Sequence, residues 1–280
     1  MASDNAIFLY WNKADTATVT ASSAALPANR VQDPRPGRVW RATGYASESL
    51  TFDHGSAEDM THGAVVNHNQ DANGTIRCEV SNAADFSTHL YDSAVEAWPP
   101  VAGFGSDRFG TSLGGYPILT GFADYRPFSL FDFGGTLTAR YVRYTFTSSA
   151  EAGNIQVGRI FTGIGYQPEV NFSYGWSNEW ADPSELVETE ASFFVIRRQK
   201  YRVLRLSLEN IPQAEALSAL DDLKRIVGKS RDVLVVLFPA ADLPTLYRTS
   251  IYGIPIENGP TSNPYFQRFA TSVAVRELVA

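Results

Sequence analysis

The stretch that decides the fold class runs from Glu48 to Ser87, ESLTFDHGSAEDMTHGAVVNHNQDANGTIRCEVSNAADFS. Leu50–Phe52 sets Thr51 between two apolar residues, the alternation of a half-buried strand. Ala64–Asn67 and Thr75–Val80 are further strands, split by the Asp71–Gly74 turn, DANG. The polar segment that follows carries no catalytic spacing. A counterpart comes much later, at Ala139–Phe146, ARYVRYTF.

Together these segments resemble the paired core strands of a discoidin-like (galactose-binding-type) jelly roll. The resemblance implies that LTFDHG is a buried strand and that HNQDANGTIRCEVS runs through a turn into its neighbour. ARYVRYTF is then the returning strand. It also implies a binding and assembly module that rarely carries chemistry of its own.

The composition agrees. A chain of 280 residues is long enough for two ordinary domains. With 21 Gly, 15 Pro and 12% aromatics, it suits a β-rich protein with many turns and argues against long disorder. A net charge of −7 with no Lys/Arg-rich face disfavours a nucleic-acid partner. The single cysteine, Cys78, excludes an intramolecular disulfide and a multi-cysteine metal site, and in IRCEV it reads as a small buried apolar residue. The start, MASDNAIFLYWNKADT, has no basic region, and its apolar run covers only Ile7–Trp11, so no signal peptide is expected. No apolar run approaches the roughly 20 residues of a membrane span. The expectation is a soluble chain made in the cytoplasm, with no membrane partner.

Residues 1–165 read as one domain of short strands: Ala6–Trp11, Ala17–Ala21, a strand start at Val39–Arg41, then those quoted above. The Gly- and Pro-rich stretch 96–116 reads as a long exposed loop, too long to be passive. Arg126–Phe133, Tyr141–Phe146 and Ile155–Ile164 follow as strands, and Gln167–Pro168 is the expected boundary. In 166–280 the strands are Val170–Trp176, Glu188–Ile196, Tyr201–Leu208, Asp232–Phe238, Tyr247–Ile256 and Gln267–Leu278. A single helix over 211–227 has Asn210 as N-cap, Pro212 in its first turn and Gly228 as its stop. Leu217, Leu220, Leu223 and Val227 form its apolar stripe, with Asp221, Asp222, Lys224 and Arg225 facing water. The fold class expected is mainly β: an N-terminal jelly-roll β-sandwich plus a C-terminal β-sandwich with one packed α-helix.

The order of elements in the second half carries a further resemblance. RRQKYRVLRLSLENI, the helix, VLVVLFPA, YRTSIYG and YFQRFATSVAVRELV are similar to the tail-tube and distal-tail building block of long-tailed bacteriophages. With NRVQDPRPGRVWRATG, STHLYDSAVEAW and VGRIFTGIGYQP in the first half, the chain resembles siphophage minor tail proteins. The domain order departs from distal tail proteins, which usually put the ring-forming domain first. The resemblance implies a structural component of a tail tip or baseplate, assembled in the host cytoplasm and resident in the virion. Its partners would be copies of itself in a ring and the tail tube, hub and tape measure proteins. Arg197, Arg198, Lys200, Arg202 and Arg205 would then line an oligomer interface facing acidic rims such as Glu185, Glu188 and Glu190, or else solvate an edge strand.

No catalytic residue, metal or cofactor is expected. His54, His62, His68 and His89 match no metal-ligand spacing and fall around expected turns. Asp53, Glu58 and Asp59 lack the spacing of a calcium loop. The pairs Asp221/Asp222 and Glu188/Glu190 read as solvated surface rather than a glycosidase acid and nucleophile. GFGSDRFG neither follows a buried strand nor opens a helix, so it is no phosphate loop.

Glycan binding is the alternative function, as a monomeric lectin-like module that takes a host surface glycan. Trp40, Trp98, Phe104, Phe109 and Tyr116 are its candidate platforms, with Arg41, Asp107 and Arg108 as polar partners. The competing reading makes Trp40 and Trp98 core plugs and packs the loop on a neighbouring subunit.

Overall fold

Ile7, Phe8, Leu9 and Tyr10 form an unbroken apolar run, and the strand they make is buried on both faces. The computed structural model describes residues 4–71, 73–98, 112–113, 116–117, 125–148, 153–188 and 192–279. Strand β1 (Ile7–Asn12) is followed by β2 (Thr18–Ala21), β3 (Trp40–Arg41), β4 (Ser47–His68), β5 (Thr75–Ser81) and β6 (Tyr91–Glu96). The short β7 (Ser112–Leu113) and β8 (Tyr116–Pro117) precede β9 (Phe128–Thr147) and β10 (Gln156–Tyr166). The second half begins with β11 (Ser177–Ala181), β12 (Glu185–Glu188), β13 (Phe193–Ile196) and β14 (Tyr201–Pro212). Helices α1 (Gln213–Ala216) and α2 (Ala219–Val227) lead to β15 (Val233–Val236) and α3 (Leu243–Thr249). Strands β16 (Ile251–Asn258), β17 (Ser262–Tyr265) and β18 (Arg268–Glu277) complete the chain.

The molecule is mainly β, and its first half is a jelly-roll β-sandwich. Two long strands make the sandwich. In β4, Leu50–Asp53 pairs with β2 and His62–His68 pairs with β10, while β9 accompanies β4 along most of its length. The ladder slips between Asp53 and Glu58, and Gly134 and Gly135 adopt φ of +73° and +154° on β9. These irregularities let one strand serve both layers. Tyr144 spans the gap between the layers. Its ring meets Phe131 edge-on at 5.8 Å, and its hydroxyl lies 2.8 Å from the Thr162 hydroxyl and 3.2 Å from the Phe161 carbonyl.

One antiparallel path then runs β11-β14-β18-β16-β15-β1-β10-β4-β9-β5-β6. Two cores lie along it. Leu50, Phe52, Cys78, Val142 and Phe146 belong to the first; Leu204, Leu206, Leu220, Leu223 and Val275 belong to the second. Strands β1 and β15 supply both, because alternate residues point to opposite faces. Leu9 and Val236 enter the first core, while Phe8 and Val235 enter the second. Residues beyond Gln167–Pro168 therefore take a central strand from the start of the chain.

Several expected elements differ. The helix over 211–227 is two helices, and its stripe is broken: Leu220, Leu223 and Val227 are buried, but Leu217 is exposed. Ser218 donates to the Ala214 carbonyl at 2.6 Å at the break, a side-chain bond that competes with helix continuation. Asn210 has φ +57° and does not cap; Pro212 stands at the N-cap. A third helix, α3, with Pro244 in its first turn, takes Tyr247–Thr249 from the start of the strand expected over Tyr247–Ile256. Residues 170–176 form no strand, and of the strand expected over 188–196 only Glu188 and Phe193–Ile196 are described as paired, each with the other's strand.

Candidate functional site

Two expected platforms are core residues. Trp40 is fully buried and its indole N–H donates to the Ser23 carbonyl at 3.1 Å. Trp98 is 6% exposed, donates to the Gln70 carbonyl at 3.0 Å and stacks on Tyr247 at 5.4 Å. Neither presents a face to a sugar, because each closes a seam in the sandwich. Arg41 is half-buried, 3.4 Å from the Gln156 side chain. Phe104, Asp107, Arg108 and Phe109 lie outside the described residues, and Tyr116 is placed only by its pairing with Leu113.

The basic strand is not an edge. Strand β14 lies between β11 and β18, and over Val203–Arg205 its backbone is paired on both sides. Arg202 is buried, with both Glu277 oxygens at 3.0 and 2.6 Å and the Tyr247 carbonyl at 3.0 Å. Arg205 pairs with Glu179 at 2.7 Å, Arg198 with Glu185 at 2.5 Å and Lys200 with Asp182 at 3.4 Å. These charges meet acids of their own chain. Arg197 is exposed, and Glu190 lies outside the described residues.

The histidines are also relocated. His54, His62 and His68 stand within β4 rather than at open turns, and His62 and His68 are buried. Burial pushes all three below the usual imidazole range, His68 to about 3. Glu79, His89 and Asp92 offer ligand atoms within 4.8 Å of one another. Their carboxylates are already engaged: Arg143 grips Glu79 at 2.7 and 2.8 Å, and Arg77 grips Asp92 at 2.7 and 2.6 Å. This is a charge-matched network rather than a cation cradle. Asp53 is likewise held by Arg140 at 2.8 and 3.0 Å, which keeps its carboxyl low. Asp221 and Asp222 lie on α2, where Asp222 pairs with Arg225 at 2.5 Å.

An open groove of 460 Å³ gathers a different set: Trp11, Lys13, Ala57, Glu58, Asp59, Thr138 and Ile164. That volume falls within the roughly 300–1,000 Å³ of small-ligand sites. Local structure places each member. Asn12 caps the 3-10 turn Lys13–Thr16 by accepting from the Ala14 N–H at 3.1 Å, and this swings Lys13 back over β1. Its ammonium sits 3.9 Å from the Trp11 ring centroid and 3.0 Å from Glu58 Oε2. The slipped register after Asp53 sets Glu58 and Asp59 opposite Ala139 and Thr138. The Thr138 hydroxyl donates to Asp59 at 2.6 Å. Trp11 and Ile164 supply an apolar floor, and an ammonium, two carboxylates and a hydroxyl rim it. Sequence reasoning passed over Trp11 and Lys13, because nothing in the pattern links residues 11–13 to 57–59 and 138.

No protein-family model matches the sequence, and no curated protein matches it. Among solved structures, the module CpGH89CBM32-6 of Clostridium perfringens is similar at 18% identity and TM-score 0.37, covering 56% of this chain and 99% of its own. Chitosan-binding module 1 of a Paenibacillus sp. IK-5 chitosanase/glucanase is similar at 18% identity and TM-score 0.37, covering 55% and 98%. A fucose-binding module of Streptococcus pneumoniae is similar at 12% identity and TM-score 0.37, covering 56% and 99%.

Proposed function

We propose that this chain is a non-catalytic carbohydrate-binding protein whose discoidin-like jelly roll takes a sugar in the Trp11–Lys13–Glu58–Asp59–Thr138 groove. The observation that carries the reading is the composition of that groove. Sugar hydroxyls donate and accept in alternation, and carboxylates, an ammonium and a hydroxyl meet both needs. The indole offers apolar contact to the ring's C–H edge. One ammonium against two carboxylates leaves the groove acidic, which favours neutral or amino sugars over acidic ones. A glycan array tests it: binding confined to neutral or amino sugars is expected. Binding only to sialylated or uronic glycans would contradict it.

A second reading is favoured by a separate observation. Hairpin β12–β13 exposes Leu186, Val187, Phe193, Phe194, Val195 and Ile196 to solvent, a surface suited to burial in an assembly. On this reading the chain is a structural component of a siphophage-like tail tip that displays the jelly roll outward. Mass spectrometry of purified virions tests it; absence of the chain from every virion preparation of its source would contradict it.

A further inference from the structure

Two lysines of this chain hold their ammonium groups in different ways. Lys224 is locked: its Nζ donates to the Gly259 carbonyl at 2.6 Å, to Thr261 Oγ1 at 2.8 Å and to Thr271 Oγ1 at 2.6 Å. Every N–H of that ammonium has an acceptor, which is how a structural lysine is held. Lys13 is held differently. Among the described residues its ammonium makes one hydrogen bond, to Glu58 Oε2 at 3.0 Å, and it rests 3.9 Å from the Trp11 ring centroid. Its other N–H donors are left to the water of the groove.

The place this ammonium takes is a recognition site in its own right. An aromatic face attracts a cation through its ring quadrupole, and a carboxylate attracts it by charge and hydrogen bonding. A second carboxylate adjoins the first. Asp59 follows Glu58 on β4 and accepts from the Thr138 hydroxyl at 2.6 Å, and it makes no ion pair among the described residues. Other acids of the jelly roll are matched: Asp53 is gripped by Arg140, Glu79 by Arg143 and Asp92 by Arg77. The Lys13 side chain can leave without undoing the fold. Its backbone is set by the Asn12 cap and by the Thr16 hydroxyl, which donates to the Lys13 carbonyl at 3.2 Å. Its pair with Glu58 is partly exposed, so the attraction is weak and the flexible stem carries the ammonium out to water.

We infer that Lys13 is the tethered occupant of an ammonium subsite made by Trp11, Glu58 and Asp59, and that the ligand is a sugar whose free, protonated amine takes its place. This inference rests on the carbohydrate reading above and narrows it. Neutral and N-acylated sugars carry no charge to exchange for that of Lys13. Lys13 is then a specificity-determining residue. While it sits on Trp11 the subsite is closed, and the apparent affinity for an amine falls by the fraction of time it is closed.

The test uses the full chain and three sugars that differ only at carbon 2: the methyl β-glycosides of glucosamine, N-acetylglucosamine and glucose. Titrations at about pH 6.5, where such an amine is charged, are followed by the Trp11 indole N–H resonance. Wild type should favour glucosamine over the other two by about tenfold. Lys13→Gln should tighten glucosamine binding by about two- to fivefold, the worth of a partly exposed ion pair. Lys13→Arg keeps a cation on Trp11 and should not tighten it. Asp59→Asn should remove the preference for the amine. Circular dichroism checks that each variant folds. Glucosamine bound no better than glucose, or bound more weakly by folded Lys13→Gln than by wild type, would overturn the inference. If glucose then binds and Trp11→Ala removes that binding, the carbohydrate reading stands without the amine. No response of the Trp11 indole to any of the three sugars overturns the inference, and a silent glycan array then overturns the carbohydrate reading as well.

Discussion

Arg159 and Asp232, 73 residues apart in sequence, are joined by two hydrogen bonds of 2.9 and 3.1 Å. Arg159 stands on β10 in the jelly roll, and Asp232 leads into β15 in the second half. Asp15 takes the far side of the guanidinium at 2.9 Å, and the Tyr252 hydroxyl donates to Asp232 at 2.8 Å. Arg159 is 1% exposed, so its removal strands the buried Asp232 carboxylate without its guanidinium. Arg159→Ala is expected to cost about 3–5 kcal/mol. Urea unfolding followed by circular dichroism and tryptophan fluorescence should give one coincident transition at lower urea. Two separated transitions in the wild type would show that the halves fold apart.

The sandwich makes a second demand at Gly63. A methyl group there would land on the Tyr144 hydroxyl and 3.3 Å from the Phe133 ring. Tyr144 is fully buried and has no room to retreat. Gly63→Ala is expected to destabilise by about 1–3 kcal/mol. Adding Tyr144→Phe removes the oxygen in the way and should recover part of that loss. Strict additivity of the two changes would show that they do not touch.

Acid should weaken the fold through His68. Its folded-state value, about 3, lies below the 6.5 of an exposed imidazole because the ring is buried. Between those values the unfolded chain binds more protons than the folded one. Stability is therefore complete above about pH 6.5 and is lost as pH falls toward 3, at up to about 1.4 kcal/mol per pH unit. Burial pushes His54 and His62 the same way. Urea midpoints at neutral and acidic pH should fall less in His68→Phe than in the wild type. Equal falls would remove His68 from the explanation.

Cys78 is buried in β5, and burial pushes its thiol up, away from the reactive thiolate. Ellman's reagent should find almost no thiol in the native protein and the full complement in urea. Rapid native labelling would contradict the packing of β5.

What could be read from the residues alone follows from range. Period-two alternation exposed Leu50–Phe52 and Tyr141–Phe146 as strands, because each signal is local. The full extent of β4 and β9 was hidden, since His54–Asp59 and Gly134–Gly135 read as interruptions and are in fact bulged or twisted parts of continuous strands. Leu217 kept the helical spacing, yet the break at Ser218 turned it outward. Arg202 looked like one more charge on a basic edge; only the sheet order buries it against Glu277. Trp40 and Trp98 show the same limit for the site. Aromatics suited to stacking are equally suited to a core, and composition does not separate the two.

The most direct test of carbohydrate binding is isothermal titration of the best array ligand into wild type, Trp11→Ala and Glu58→Gln. Trp11 is only partly buried, so both variants should fold. A loss of about tenfold or more in each, some 1.4 kcal/mol, is predicted. Unchanged affinity in both folded variants would contradict a sugar site in this groove.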